Sequence, residues 1–378
     1  MIYFDNSAST YIKPRQVVTA IKNSMIKLTA NPGRSGHSLS LQSALEVEKV
    51  RQQICDFFNV SKPERVIFTQ NCTDALNLAI QGSIIPSSHI ITTINEHNSV
   101  LRPLFELKDR LNLEIDICKP KNDFSITADD IKPLIKPNTS MICVNQISNV
   151  DGMSADITSI GELCQKHCIT FLVDGAQSGG HIKIDMNKSH IDMLALAPHK
   201  ALYGPQGIGV LCLSAKAKLK PIRFGGTGTD SILLKQPSSY PEGYESGTIA
   251  TPNIVGLGAG LDFVQKNFNQ IVKKIDDLST FINFELRKID NVICYTHPDN
   301  SYGVLSFNIK NVSSSDVSSI LSERYNICTR SGLHCAPLKH KWLGTEKQGT
   351  VRVSLSSFNK YNECEKFIKV VRKIVKEF

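Results

Sequence analysis

From about residue 40 to residue 250 the chain alternates short apolar runs with longer amphipathic segments. The runs at 66–69, 89–93, 141–145, 171–174, 193–196 and 209–213 are apolar on both faces instead of alternating. Strands buried in a parallel sheet with helices on either side carry this pattern. Helical spacing lies between several of them. Residues 43–58 space Leu45, Val47, Val50, Ile54, Phe57 and Phe58 as an amphipathic helix does, 73–80 opens with Thr-Asp, and 157–167 stands directly before the strand at 171. This β-α alternation predicts a doubly wound α/β domain, mostly parallel, whose ligand site lies at the C-terminal strand ends.

Beyond about residue 255 the texture changes. A long helix-like stretch (258–268, continuing from 271 to 289) precedes a strand at 304–308, a helix at 315–325, and a final strand and helix. This predicts a smaller α+β domain at the C-terminus. The expected division is a segment at 1–15 that packs with the small domain, a large domain over 16–256 and a small domain over 257–378, with the joint in the long helix after Gly256.

The 378 residues, 41% hydrophobic and 21% charged, suit a soluble enzyme of two or three domains with a core that needs no staple. Gly 23 and Pro 16 exclude collagen-like and low-complexity classes. The excess of 43 basic over 35 acidic residues gives +8, but the charges are dispersed and no aromatic-basic motif accompanies them, so nucleic-acid binding is not expected. No run of about 18 apolar residues is present, and the start MIYFDNSAST is unlike a signal peptide, so no membrane association is expected. The 11 cysteines, scattered from Cys55 to Cys364, contain no C-x-x-C. The nearest pair, Cys164 and Cys168, has no second pair to complete a zinc site. This argues for a reducing, cytoplasmic setting in which most thiols are small core residues.

Four features stand at successive strand ends. Lys200 lies in Ala197-Pro-His-Lys-Ala-Leu-Tyr-Gly, between a buried strand and a Gly/Pro loop. Most lysines are solvated surface charges; one desolvated here has a lowered pKa and a nucleophilic free amine, as Schiff-base chemistry with an aldehyde cofactor requires. Asp174 ends the apolar run at 171–174. It is read either as a helix N-cap or as the carboxylate that pyridoxal phosphate (PLP) needs at its ring nitrogen. Phe68-Thr-Gln-Asn-Cys72-Thr73-Asp is a strand, polar turn and helix start that offers backbone N–H groups and a hydroxyl to a phosphate. His97, in Asn95-Glu-His-Asn, follows a fourth strand end.

With these residues in view, the chain resembles the fold-type I PLP enzymes of the class V aminotransferase group, and specifically the cysteine desulfurases. The resemblance rests on YFDNSAST, GRSGHSLS, FTQNCTDALNLAI, EHN, ISNVDG, VDGAQ, HKALYGPQGIG, YESGT and RSGLHCAPL, in family order nearly end to end. It implies that Lys200 carries PLP as a Schiff base, Asp174 pairs with the pyridine nitrogen, Gln177 bonds the phenolic oxygen and His97 stacks on the ring. Phosphate contacts are implied for Cys72, Thr73 and His199, with Thr248 reaching in from a second subunit of a homodimer with shared active sites. Arg352 and Asn149 are implied at the substrate carboxylate, where a guanidinium fork suits a carboxylate. His37 falls near the entrance, and Arg330 joins the substrate-binding set. Two departures bear on phosphate anchoring: Asn71-Cys72-Thr73 where the family commonly has Gly-Thr-Thr, and Ala197 and Pro198 where it has a serine two residues before His199.

Cys335, in Arg330-Ser-Gly-Leu-His-Cys-Ala-Pro-Leu, separates a desulfurase from its transaminase relatives. Most cysteines are buried core thiols, but this one lies in a Gly/Ser loop with Arg330, His334, Lys339, His340 and Lys341 within six positions. Cationic neighbours favour the thiolate. A zinc reading of His334, Cys335 and His340 has three ligands at irregular spacing, and no metal is expected. The short loop resembles that of the SufS-type branch, whose members often use a separate sulfur-acceptor protein. The resemblance therefore implies that L-cysteine is converted to L-alanine with sulfur held as a Cys335 persulfide for transfer, as in iron–sulfur cluster assembly. The alternatives are a selenocysteine lyase, another PLP-dependent C–S lyase or an aminotransferase on the same fold, or a non-catalytic scaffold, against which the intact Lys200, Asp174, His97, Arg352 and Cys335 argue.

Overall fold

The computed structural model describes residues 1–33, 35–121, 124–300 and 302–378. Arg34 of the GRSGHSLS motif lies outside the described residues. A seven-stranded sheet runs in the order Val66–Thr69, Gly209–Leu213, Met193–Leu196, Thr170–Asp174, Thr139–Asn145, His89–Thr93, Glu114–Cys118. Gly209–Leu213 is antiparallel to both neighbours, and the other pairings are parallel. All six predicted strands are present. Along one strand, Phe171 and Val173 enter one apolar cluster while Leu172 enters the cluster on the opposite face. Burial on both faces is why these runs read as continuously apolar.

Glu114–Cys118 was not predicted. It is the edge strand, paired on one side only, and it reads Glu-Ile-Asp-Ile-Cys. Polar alternation with carboxylates suits an unpaired edge, which charges protect from further pairing.

The register fixes the site. Asn145 pairs with Asp174 and Asp174 with Ala195, so these strands finish level with one another. The segments that follow them emerge along one C-terminal edge. The first turn of the helix Cys72–Ser83, the start of Asn98–Arg110 and the turn carrying Lys200 all issue there.

The long helical stretch predicted after residue 255 is one unbroken helix, Thr251–Arg287. Its first turns pack on the helices Arg15–Lys27 and Ser38–Phe58, and Gly256 and Gly258 permit the approach: a Cβ there would stand 2.6 Å from Ile21 and 2.7 Å from Val50. Its later turns place Leu278, Ile282 and Leu286 in the C-terminal core with Phe307 and Phe367. That core covers a three-stranded antiparallel sheet in the order Val292–Cys294, Val304–Ile309, Val351–Ser354. The N-terminus belongs to it as well: Ile2–Tyr3 pairs in parallel with Ile327–Cys328, and the Phe4 ring meets Phe367 edge-on at 5.6 Å. A few residues later Thr10 and Lys13 reach the His199 carbonyl at 3.0 and 2.9 Å. Among the described residues, no helix is long and apolar enough to cross a membrane.

Candidate active site

A cleft of about 240 Å³ opens at the C-terminal strand edge. Its lining brings together ten of the predicted site residues: Cys72, Thr73, His97, Asn149, Asp174, Gln177, His199, Lys200, Arg330 and Arg352.

Lys200 sits in a tight turn, its N–H on Ala197 O (3.1 Å) and its carbonyl accepting from Tyr203 (3.0 Å). Burial lowers the pKa of its amine, Cys72 and Asp174 oppose that shift, and Arg352 and Arg330 add to it. The free amine is thereby favoured over what an exposed lysine would show. Asp174 is fully enclosed. Burial raises its pKa, against the Ala176 N–H (2.9 Å), the Lys200 charge and the Asn145 amide (3.2 Å). Both shifts describe groups placed where a cationic ring nitrogen and an aldehyde would complete their partners.

His97 caps the helix Asn98–Arg110 with its own ring. Nδ1 accepts the Ser99 N–H at 3.0 Å and lies 2.8 Å from Ser99 Oγ. An acceptor Nδ1 places the ring proton on Nε2. Burial first, then the charges of Lys200, Arg330, Arg352 and Arg102, push its pKa down to about 4, so the ring is neutral. The helix Cys72–Ser83 is capped by Asn71, whose side chain accepts from the Asp74 N–H, leaving the first-turn N–H groups directed out of its N-terminus. Thr73 Oγ1 is 2.8 Å from Ser99 Oγ. Gln177 donates Nε2 to Ser7 O at 3.1 Å.

Arg352 is wholly buried. Its Nη1 donates to Asn149 O at 2.9 Å and its Nη2 lies 2.7 Å from Asp5 Oδ1. Arg330 pairs with it backbone to backbone across an antiparallel bridge. Arg330 also connects the cleft to Cys335, its Nη2 standing 3.9 Å from Sγ. Cys335 is half-buried beside this arginine, and its carbonyl accepts the Asn98 N–H at 2.7 Å.

The cationic surroundings expected of Cys335 are corrected by the geometry. Burial holds His334 and His340 far below their ordinary pKa and therefore neutral, Lys339 is turned into the core against Asp151, and Lys341 is exposed. Arg330 is the guanidinium at the thiol. Among the described residues no three His, Cys, Asp or Glu side chains are placed to hold a metal ion.

Three predicted residues lie outside the cleft lining: Cys335, which stands beside it at Arg330, and two that are not brought to it within this chain. Thr248 is exposed and lines a separate cavity beside Gln70 and Asp74. His37 is the exposed N-cap of Ser38–Phe58, accepting the Ser40 N–H at 3.2 Å. Conversely, Asp5, Ser7, Ser99 and Asn145 take part in the site without having been singled out. YFDNSAST carries Asp5 and Ser7, but a contact across the length of the chain has no local signature.

The fit to PLP is tested by what the cleft leaves unpaired. Asn145 Oδ1, Asn149 Oδ1, His199 Nδ1 and Arg352 Nε are buried without a hydrogen-bond partner among the described residues. Buried polar groups ordinarily have one. A buried amine, a buried carboxylate, a helix N-terminus and two guanidinium groups around those unpaired atoms match an anionic, aldehyde-bearing pyridine.

The topology and this strand-edge cleft are those of the fold-type I PLP enzymes. The chain belongs to the aminotransferase class V family, whose model matches residues 2–367. It is 32% identical over 375 residues to a probable cysteine desulfurase of Methanothermobacter thermautotrophicus, covering 96% of this chain and 92% of that protein. It is 31% identical over 406 residues to a probable cysteine desulfurase of Borreliella burgdorferi, covering 100% and 92%. The apo structure of a cysteine desulfurase from Thermococcus onnurineus aligns with a TM-score of 0.93 at 31% identity, covering 100% of this chain and 95% of that one.

Proposed function

We propose that this protein is a PLP-dependent cysteine desulfurase of the short-loop type, which converts L-cysteine to L-alanine and holds the sulfur as a persulfide on Cys335 for an acceptor. The observation that carries the reading is Arg330, which lines the Lys200 cleft and stands 3.9 Å from Cys335 Sγ, so that a substrate seated there meets the thiol. Lys200 would hold the cofactor, with Asp174 at the ring nitrogen, His97 over the ring and Gln177 at the phenolic oxygen. Cys72, Thr73 and His199 would take the phosphate. PLP, when bound, supplies an electron sink for charge developing at the substrate Cα.

The protein's own groups carry the remaining work. Arg352 and Arg330, with Asn149 beside them, hold the substrate carboxylate and set its Cα toward Lys200. Lys200, whose ammonium form burial disfavours, takes the Cα proton. His97, neutral and protonated on Nε2, relays a proton at the reacting carbon or sulfur. Cys335 Sγ then bonds to the substrate sulfur as the C–S bond breaks. The bonding electrons stay with the substrate carbon, which takes up a proton to become the methyl group of alanine.

A homodimer completes the site in this reading. Thr248 lies exposed on the far side of the phosphate turn, and Phe224, Ile232 and Leu234 in the preceding segment expose apolar surface that a second copy covers. The His37 segment then borders the entrance. Residues 1–15 travel with a small domain of 257–378, and 16–256 form the cofactor-binding domain. The persulfide is passed in the cytoplasm to a separate acceptor protein that feeds iron–sulfur cluster assembly, a role that needs a reducing compartment.

The test is turnover of L-cysteine by holoenzyme. Lys200→Ala abolishes both alanine formation and the absorbance of lysine-bound cofactor. Cys335→Ser keeps that absorbance and forms no persulfide. Sulfide release at an undiminished rate from Cys335→Ser would refute the assignment and favour a lyase in which no protein thiol takes part.

A further inference from the structure

Cys335 and His334 are consecutive non-glycine residues with φ of +58° and +48°. Left-handed backbone costs free energy at each such residue and persists only where the surroundings impose it. The flanking residues His334 and Ala336 are buried, while Cys335 itself is half-exposed. Something must hold this segment so that the thiol, and not its neighbours, stays beside Arg330.

Ties hold it from both sides. Ahead of Cys335, Asn149 donates Nδ2 to the His334 carbonyl at 2.6 Å, and the His334 ring meets Thr350 O at 3.1 Å. Behind it, Lys339 Nζ lies 2.7 Å from Asp151 Oδ2, with both side chains buried at 0% and 4% exposure. Lys339 also touches Met153 Sδ at 3.4 Å and lies 4.5 Å over the Trp342 ring. The second Asp151 oxygen accepts the Met153 N–H at 3.1 Å, and Asn300 holds the Asp151 carbonyl at 3.1 Å. Asp151 is thus rigidly set in the loop that carries Asn149, whose carbonyl in turn accepts from Arg352 at 2.9 Å.

A buried ion pair is a poor source of stability, because desolvating both charges offsets their attraction and an apolar pair of similar volume often does as well. What it provides is a single geometry. We propose that Asp151 and Lys339 are a positioning pair for Cys335: they lock the segment after the thiol onto the loop that carries Asn149, and so hold Sγ beside Arg330 of the Lys200 cleft. The inference rests on the desulfurase reading above. Neither residue touches the cleft, and both act through Cys335.

The experiment uses cofactor-loaded enzyme and compares Lys339→Met with the double variant Asp151→Asn, Lys339→Met. The single variant strands a buried carboxylate and can fail to fold; the double variant removes both charges. Two reactions are followed beside thermal stability. Exchange of the L-alanine Cα proton in deuterium oxide needs Lys200 and Arg352 but not Cys335. Persulfide formation from L-cysteine needs all three.

The expected result is a double variant with wild-type stability, unchanged alanine exchange and unchanged KM for cysteine, but persulfide formation slowed about tenfold to a hundredfold, as small misplacements of reacting groups produce. A double variant that forms persulfide at the wild-type rate overturns the proposal. So does one in which exchange and persulfide formation fall by the same factor, which would mark a merely structural role. Failure of the desulfurase reading looks different: the unsubstituted holoenzyme exchanges the alanine proton but forms no persulfide, and both proposals fall together.

Discussion

Asp5 Oδ1 lies 2.7 Å from Arg352 Nη2, joining two residues 347 positions apart in the chain. Arg352 is 1% exposed, and burial works against its charge; Asp5 is the main group that restores it. In the proposed reading the N-terminal segment is therefore part of the substrate site and not only an added strand. Replacing the carboxylate by an amide keeps the shape and removes the compensating charge. Asp5→Asn should cost about 2 kcal/mol in urea unfolding, as loss of a hydrogen bond to a charged group does. It should also raise KM for cysteine roughly tenfold with a smaller effect on kcat, because the guanidinium loses its orientation for the substrate carboxylate. Steady-state kinetics with an intact KM would contradict this.

Gly209 begins the one antiparallel strand of the large sheet and pairs with Thr69. A Cβ there would stand 2.6 Å from Thr69 Oγ1 and would collide with the Asn71 carbonyl. Asn71 caps the helix that begins at Cys72. Gly209→Ala must push this turn outward and spoil the alignment of the Cys72 and Thr73 N–H groups. We predict at least a tenfold loss of PLP affinity (about 1.4 kcal/mol) with a folded sheet. Titration of the apo-protein with PLP, read by absorbance, measures it; unchanged affinity would place the phosphate elsewhere.

The large sheet was legible because burial on both faces leaves a local mark, and strands such as Met193–Leu196 and Gly209–Leu213 appear where the apolar runs stand. Lys200, Asp174 and His97 were legible because each follows such a run. The edge strand Glu114–Cys118 was not, since Glu114 is exposed and the next three residues are only partly covered. The surroundings of Cys335 were misjudged for a related reason. Proximity in sequence suggested five cationic neighbours, but opposite faces of the short helix Pro337–Leu343 point Lys339 into the core and Lys341 outward. Asp5 with Arg352 and Asp151 with Lys339 are long-range pairings, set by how the sheet and its C-terminal partner pack, and no window of sequence contains them.

Buried histidines set the acid limit of stability. His97, His181, His199 and His340 are pushed down to about 4, chiefly by burial, from an ordinary 6.5. Unfolded, each takes a proton near pH 6.5; folded, each stays neutral until about pH 4. The unfolded chain therefore binds more protons in that window, and stability present above pH 6.5 is lost as pH falls. Each group contributes up to about 1.4 kcal/mol per pH unit. His181 offers the cleanest test, being enclosed, with no partner for Nδ1 among the described residues, and outside the cleft lining. His181→Phe should reduce the slope of unfolding free energy against pH between about 6.5 and 4 by one proton's share. An unaltered slope would mean that His181 is protonated in the folded protein.

Glu96 carries the opposite sign. Its Oε1 accepts from Thr93 Oγ1 at 2.7 Å and from the Asn145 N–H at 2.9 Å, while Oε2 has no partner among the described residues. Burial, opposed by those two donors and aided by the nearby Asp174 charge, raises its pKa from 4.5 to about 8. Between those values the folded carboxyl keeps its proton and the unfolded one loses it, so stability falls as pH rises from 4.5 and levels off above about 8. Glu96→Gln keeps an acceptor at Oε1 and removes the titration. The variant should match the wild type near pH 4.5 and gain on it with rising pH, by a few kcal/mol (order of magnitude) at about pH 8.5. Urea unfolding at the two pH values decides the matter, and an equal pH dependence in both proteins would show that Glu96 is ionised beneath Asn145 in the folded state.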